Sequence, residues 1–268
     1  MEFENKRYDG EYEVAGLEIE NEHQKIKGVI YFPPKKFKKP HPILIYFHGF
    51  PQLFTFQDIA HHYNFLLNKG YALLIFNFRG YKNSEGQISI KNQVSDANKI
   101  IDFILRMGEY SHFKLNNVNI IACNFGAYIG LITCSKIKLI NRLVLISPIL
   151  DLERHVNSDA FINSINYINT FLPGSVKGIN DIINFLKMTK KELSKSDFKI
   201  KKVVKKLKNK DLIIIIGKKD KVTPISEVEN IFNNSNLTPK LIIIEDMDHE
   251  CVFDDDFEDI RLKISEIF

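Results

Sequence analysis

The sequence predicts an α/β protein built on a mostly parallel sheet with helices on both faces. Short apolar runs recur at helix-length intervals: ILIYF at 43–47, YALLIF at 71–76, VNIIA at 118–122, RLVLIS at 142–147, LIIII at 212–216 and LIIIE at 241–245. A strand that is apolar at consecutive positions buries both of its faces, which is the pattern of a parallel sheet covered by crossover helices. The segments between the runs carry helical periodicity, clearest at 89–107, where Val94, Ala97, Ile101, Ile104 and Leu105 recur at helical spacing.

The chain opens in a different way. Residues 11–20 and then KIKGVIYF at 25–32 alternate apolar and polar until Pro33 and Pro34 end the pattern, which predicts an antiparallel hairpin. With the six later runs this makes an eight-stranded sheet. Residues 151–210 interrupt the rhythm after the sixth strand. The stretch is too long for a plain connection, so it is expected to hold helices of its own and to form a cap or lid within one domain spanning 1–268.

Composition narrows the class. With 268 residues, 44% hydrophobic and 26% charged, the chain resembles ordinary soluble proteins, not disordered or fibrous ones. A formal charge of +4 over this length specifies no polyanion, so no nucleic-acid partner is expected. No apolar run approaches the ~20 residues that span a bilayer, so no stable membrane insertion is expected. The opening MEFENKRYDG lacks an apolar signal segment. Cys123, Cys134 and Cys251 form an odd set without paired short spacing, which argues against a disulfide framework or a zinc site and fits a reducing cytoplasm. No metal or other cofactor is expected, and nothing in the chain specifies an oligomeric state.

The residues that carry chemistry follow strand ends, where open α/β sheets place their sites. They are Tyr46-Phe47-His48-Gly49-Phe50-Pro51, then Ile121-Ala122-Cys123-Asn124-Phe125-Gly126-Ala127, and finally the pair Gly217 to Pro224 and Asp246-Met247-Asp248-His249. Together they resemble the α/β-hydrolase superfamily over nearly the whole chain. Asn77-Phe78-Arg79-Gly80-Tyr81-Lys82-Asn83-Ser84-Glu85-Gly86 is similar to the arginine-glycine loop of the serine aminopeptidases and acyl-peptidase-like esterases within it. The resemblance implies the chain order nucleophile, acid, histidine, which Asn124, Asp220 and His249 obey. It also implies an oxyanion hole from the backbone N–H groups of Phe50 and Phe125. Asp220 would hold one ring nitrogen of His249 and leave the other as a base.

Asn124 departs from the pattern. The superfamily's G-x-S-x-G reads Ala122-Cys123-Asn124-Phe125-Gly126 here. Ala122 is small enough for close helix–strand approach, and asparagine tolerates the positive φ of the elbow better than most residues. A carboxamide, however, has no readily lost proton and its nitrogen is delocalised, so His249 cannot activate it as it would a hydroxyl. Cys123 does not replace it, since the residue before the elbow is expected to point away into the core. Cys251 likewise reads as packing, and Ser84 belongs to a loop that does not carry the nucleophile. His48-Gly49-Phe50-Pro51-Gln52 is also similar to the loop of epoxide hydrolases and haloalkane dehalogenases, whose nucleophile is aspartate. Deamidation of Asn124 would supply one, but bulky Phe125 slows the backbone attack that it requires.

Other features read more plainly. His61 and His62 are adjacent, not four apart as a helical metal pair needs, and are expected on the surface. In the lysine-rich 187–210 segment, Val203, Val204 and Leu207 form the apolar stripe of a solvated lid helix. Asp254, Asp255 and Asp256 are expected to open the last helix, where negative charge suits the macrodipole. Two functions compete. One is a hydrolase-like enzyme acting on a small ester, thioester or amide through the oxyanion hole and the His249–Asp220 dyad, on an acyl or peptide substrate. The other is an inactive homologue, or an inactivated variant, that keeps the pocket to bind a small ligand or a protein partner.

Overall fold

The computed structural model describes residues 6–207, 210–233, 235, 237–249 and 254–268. Their strands are β1 (Lys6–Asp9), β2 (Tyr12–Asn21), β3 (Gln24–Tyr31), β4 (His41–Phe47), β5 (Ala72–Phe76), β6 (Phe113–Cys123), β7 (Ile140–Ile146), β8 (Asp211–Gly217) and β9 (Lys240–Ile244). They form one sheet in the order β1-β2-β3-β5-β4-β6-β7-β8-β9. β1, β2, β3 and β5 pair antiparallel in succession, and every pairing from β5 through β4 to β9 is parallel. The expected eight strands become nine because the polar KRYD segment pairs with β2, Arg7 opposite Val14. Such an edge strand is made by its neighbour's free backbone groups and leaves no apolar period in its own sequence.

The apolar runs are apolar because both faces are covered. Along β4, Ile43, Ile45 and Phe47 enter one buried cluster while Leu44 and Tyr46 enter the other. The helices are α1 (Phe56–His62), α2 (Asn64–Leu67), α3 (Ile90–Glu109), α4 (Phe125–Lys136), α5 (Leu152–His155), α6 (Asp159–Phe171), α7 (Ile182–Leu193), α8 (Ile200–Val203), α9 (Ile225–Phe232) and α10 (Asp254–Ile267). The backbone at Asp254 does open α10; the side chains of residues 254–256, like Cys251, lie outside the described residues.

The insertion between β7 and β8 holds α5 to α8, and it divides in two. Val203, Val204 and Leu207 are buried, and α8 packs on α4, with the Tyr128 hydroxyl donating to the Phe198 carbonyl. The lysine-rich part therefore lies along a helix layer, and α6 is the helix of the insertion that lines the cavity at the strand ends. Periodicity could identify an apolar stripe but not which surface covers it.

The arginine-glycine loop is a brace. Arg79 and Asp96 are both buried; Arg79 Nε donates to Asp96 Oδ1 at 2.6 Å and its backbone N–H to Asp96 Oδ2 at 2.8 Å. The guanidinium continues to Glu22 at 2.8 Å, and Asn21 Nδ2 donates to Asp96 Oδ1 at 2.9 Å, so the β2–β3 hairpin is tied to α3 through one charge pair. Gly80 has φ +86°, and a Cβ there would lie 2.3 Å from the Ile88 nitrogen. Ser84 belongs to the same brace, donating to the Asn77 carbonyl at 2.6 Å and accepting from the Lys27 N–H at 2.9 Å.

Candidate active site

β6 ends at Cys123 and α4 begins at Phe125, so Asn124 makes the whole turn, with φ +52° and ψ −118°. That φ lies in the left-handed region, where asparagine is among the few tolerated side chains. The elbow is pinned on every side. The Asn124 N–H donates to the Ile146 carbonyl at 2.9 Å, and its carbonyl accepts from Ala127 at 3.1 Å and Ile149 at 3.3 Å. A Cβ on Gly126 would lie 2.3 Å from the His48 carbonyl oxygen, so α4 starts directly against the loop after β4. Farther along α4, a Cβ on Gly130 would lie 3.3 Å from the Ala122 Cβ, the close helix–strand approach that a small residue at 122 allows.

The three residues expected to form the catalytic set are brought together. Asp220 follows β8; its Oδ1 accepts from the N–H groups of Val222 and Thr223, each at 2.8 Å, which turns Oδ2 towards His249 Nδ1 at 2.8 Å. Both side chains are buried. A carboxylate only accepts, so Nδ1 carries the proton and Nε2 presents a lone pair. That lone pair lies 2.8 Å from Asn124 Nδ2, which must be the donor. The orientation of the carboxamide follows: its Oδ1 accepts from the Phe125 N–H at 2.6 Å. One side chain thus occupies His249 Nε2 and a backbone donor at once.

Gly217 heads one of the motifs named from the sequence, which assigns it no role. A Cβ there would lie 2.0 Å from the Met247 carbonyl oxygen, so the loops carrying Asp220 and His249 touch backbone to backbone at a point only glycine permits. A glycine ending a strand was the available signal, but it does not say which loop comes close.

The loop after β4 completes the floor. A Cβ on Gly49 would lie 2.9 Å from the Asn124 Cβ, and the Phe50 ring packs on Phe125 and Phe161. His48 holds this loop: its Nε2 accepts from the Phe78 N–H at 3.0 Å, so Nδ1 must donate to the Gly49 carbonyl at 2.8 Å. Both ring nitrogens are used in the neutral form, and burial lowers the His48 pKa to about 4. His41, also buried, is lowered by burial to about 4 as well. A histidine whose folded pKa is depressed below its unfolded value gives stability that is complete above about 6.5 and is lost as pH falls towards 4. His48 should account for about 3 kcal/mol of that loss. Urea unfolding at pH 7 and pH 5 should show a lower stability at pH 5, with a shallower dependence in His48→Asn; a flat profile in the native protein contradicts the neutral tautomer.

Over this floor lies a cavity of about 620 Å³. Its walls include Tyr46, Phe50, Tyr63, Ile146 and Phe257, with Ala160, Ser164 and Tyr167 of α6 above and Asn124 and His249 below. Gln52 is buried in the wall, and its Nε2 has no hydrogen-bond partner among the described residues. Two expectations are corrected here. His62 lines the cavity instead of the open surface, its ring 4.3 Å from that of Phe257. Cys123 is partly exposed and also lines it, because β6 ends there and its last side chain clears the core. Cys134, by contrast, is buried, and burial pushes its thiol up to about 12. Iodoacetamide applied to the folded protein should therefore modify Cys123 well before Cys134, read by peptide mass; equal labelling would mean that the cavity is closed to small reagents.

Among the described residues no group of three metal-ligating side chains occurs, and no helix is long and apolar enough to cross a membrane.

The fold is that of the α/β-hydrolases, and a family model described as "alpha/beta hydrolase fold" matches residues 42–174. Acetyl xylan esterase 1 from Thermoanaerobacterium sp. JW/SL YS485 is 18% identical with a TM-score of 0.66, covering 96% of this chain and 84% of its own. Est1E from Butyrivibrio proteoclasticus, solved with ferulic acid bound, is 16% identical with a TM-score of 0.70, covering 94% and 97%. An acetyl xylan esterase from Paenibacillus sp. R4 is 14% identical with a TM-score of 0.69, covering 98% and 87%. No curated protein sequence matches this one.

Proposed function

We propose that this protein binds the acyl or aromatic part of a small ester, thioester or amide in the cavity over His249, and that in its Asn124 form it makes no acyl-enzyme. One observation carries the reading: the Asn124 carboxamide spans His249 Nε2 at 2.8 Å and the Phe125 N–H at 2.6 Å. The base has no free lone pair and the proposed oxyanion donor has no free proton, so the polar floor satisfies itself. A self-satisfied floor under aromatic walls favours an apolar ligand group, which loses no hydrogen bonds on entering. Gln52 supplies one further donor at the wall. The esterase neighbours, one carrying a bound aromatic acid, support the ligand class.

In this reading the 151–210 insertion supplies the cap through α6, the part that touches ligand, within one functional unit spanning 1–268. Phe50 supplies the second backbone donor of the oxyanion hole beside Phe125. The nearest functional class is the serine aminopeptidase and acyl-peptidase-like esterases, and the site is cytoplasmic, without cofactor. Calorimetric titration with short-chain and hydroxycinnamoyl esters should show saturable binding without turnover, weakened in Ser164→Trp, which fills the cavity under α6. Absence of binding across both series contradicts the reading.

The intact Asp220–His249 pair favours a second reading, a slow hydrolase in which His249 deprotonates water once Asn124 swings aside. General base catalysis contributes typically ~10² to 10⁴. Turnover by the native protein that disappears in His249→Ala would select this second reading over the first.

A further inference from the structure

Asn124 sits in this site as a substrate amide would. Its carbonyl oxygen faces a backbone donor, Phe125 N–H at 2.6 Å, and its nitrogen faces the histidine of the dyad at 2.8 Å. Those are the positions of the oxygen that gains charge and of the leaving group in amide hydrolysis. The side chain also lines the cavity of about 620 Å³, so the carboxamide carbon is beside space that admits water. Backbone attack, the usual route of deamidation, needs the Phe125 N–H to give up the proton it here shares with Oδ1.

We infer that the site acts on its own residue 124: His249, held by Asp220, promotes hydrolysis of the Asn124 carboxamide by water, converting Asn124 to aspartate. Nδ2 first pivots off His249 Nε2 while Oδ1 keeps the Phe125 N–H; a water then donates to Nε2, which takes its proton as the water oxygen bonds to Cγ, and negative charge collects on Oδ1. When the Cγ–Nδ2 bond breaks, the nitrogen leaves with the proton returned by His249. One carboxamide and one water give one carboxylic acid and one ammonia, with no oxidation or reduction. The new acid then gives its proton to His249 Nε2, leaving a carboxylate beside an imidazolium, and the pocket floor changes from a neutral, self-paired surface to an ion pair. This fate of Asn124 rests on the geometry of its carboxamide and not on which ligand enters the cavity.

The test is peptide mass spectrometry of the folded protein held in water enriched in heavy oxygen at neutral pH. The peptide containing residue 124 should change from amide to acid with one heavy oxygen in the new carboxyl, as aspartate with no isoaspartate. The rate should fall by at least ~10²-fold in His249→Ala, the usual contribution of a positioned acid–base group. Protein isolated already as the acid supports the inference if His249→Ala is isolated as the amide. If His249→Ala does not fold, Asp220→Asn and the native chain unfolded in urea serve the same purpose, and both should convert more slowly. An unchanged Asn124, an isoaspartate product, or equal rates in the folded and unfolded chain overturns the proposal. None of these outcomes bears on ester binding, which the titrations read separately.

Discussion

Asn124→Ser is expected to create esterase activity on small p-nitrophenyl esters, at least ~10²-fold above the native protein, since it supplies a nucleophile to a base already oriented. Two changes act together. Serine places a hydroxyl at the γ position, one bond short of the nitrogen that meets His249 Nε2 and on the same side of the elbow, and it removes the Oδ1 that holds the Phe125 N–H. The smaller side chain overpacks nothing, and the turn is held by the backbone bonds to Ile146, Ala127 and Ile149, which do not involve the side chain. Because members of such a set act as a unit, the gain should vanish in Asn124→Ser combined with His249→Ala. A folded Asn124→Ser that neither turns over esters nor reacts with a fluorophosphonate would show that the floor is not poised for acyl transfer.

Asp96→Ala should cost about 3 to 5 kcal/mol of stability, because it leaves the Arg79 guanidinium buried without its carboxylate. Arg79 and Asp96 are both buried and meet through two hydrogen bonds, at Nε and the backbone N–H of Arg79, whereas half-exposed Glu22 meets the guanidinium only at Nη1. Glu22→Gln is the control. Glu22 is half exposed, so losing its contact with Arg79 should cost no more than about 1 kcal/mol. Urea unfolding of the two variants should separate them clearly. If both lie within error of the native protein, the loop at 77–86 is not the brace described here, and its role would have to be sought nearer the cavity.

Much of this molecule was legible before its structure. The fold class followed from runs such as ILIYF and LIIII, since a strand covered on both faces must be apolar at every position. That Asn124, Asp220 and His249 meet followed from motifs at strand ends, and helix α3 from a 3.6-residue period. These are local or one-dimensional properties, carried by neighbouring residues. What failed was of another kind. β1 formed on a neighbour's edge, Cys123 and His62 turned into a cavity, and the lysine-rich segment lay down on α4 instead of over the site.

The sequence by itself determined that an amide stands just beyond the strand at 118–122, with an aspartate and a histidine following in order at two later strand ends. Only the tertiary structure decided what that amide does. Whether Asn124 merely blocks the site or bonds to both halves of it depends on where loops separated by 125 residues come to rest. Those positions are set by contacts such as Gly217 against Met247 and Gly126 against His48, and by the tautomer that Asp220 imposes on His249. Distances of this kind arise from packing between remote segments, and no pattern along the chain encodes them one residue at a time.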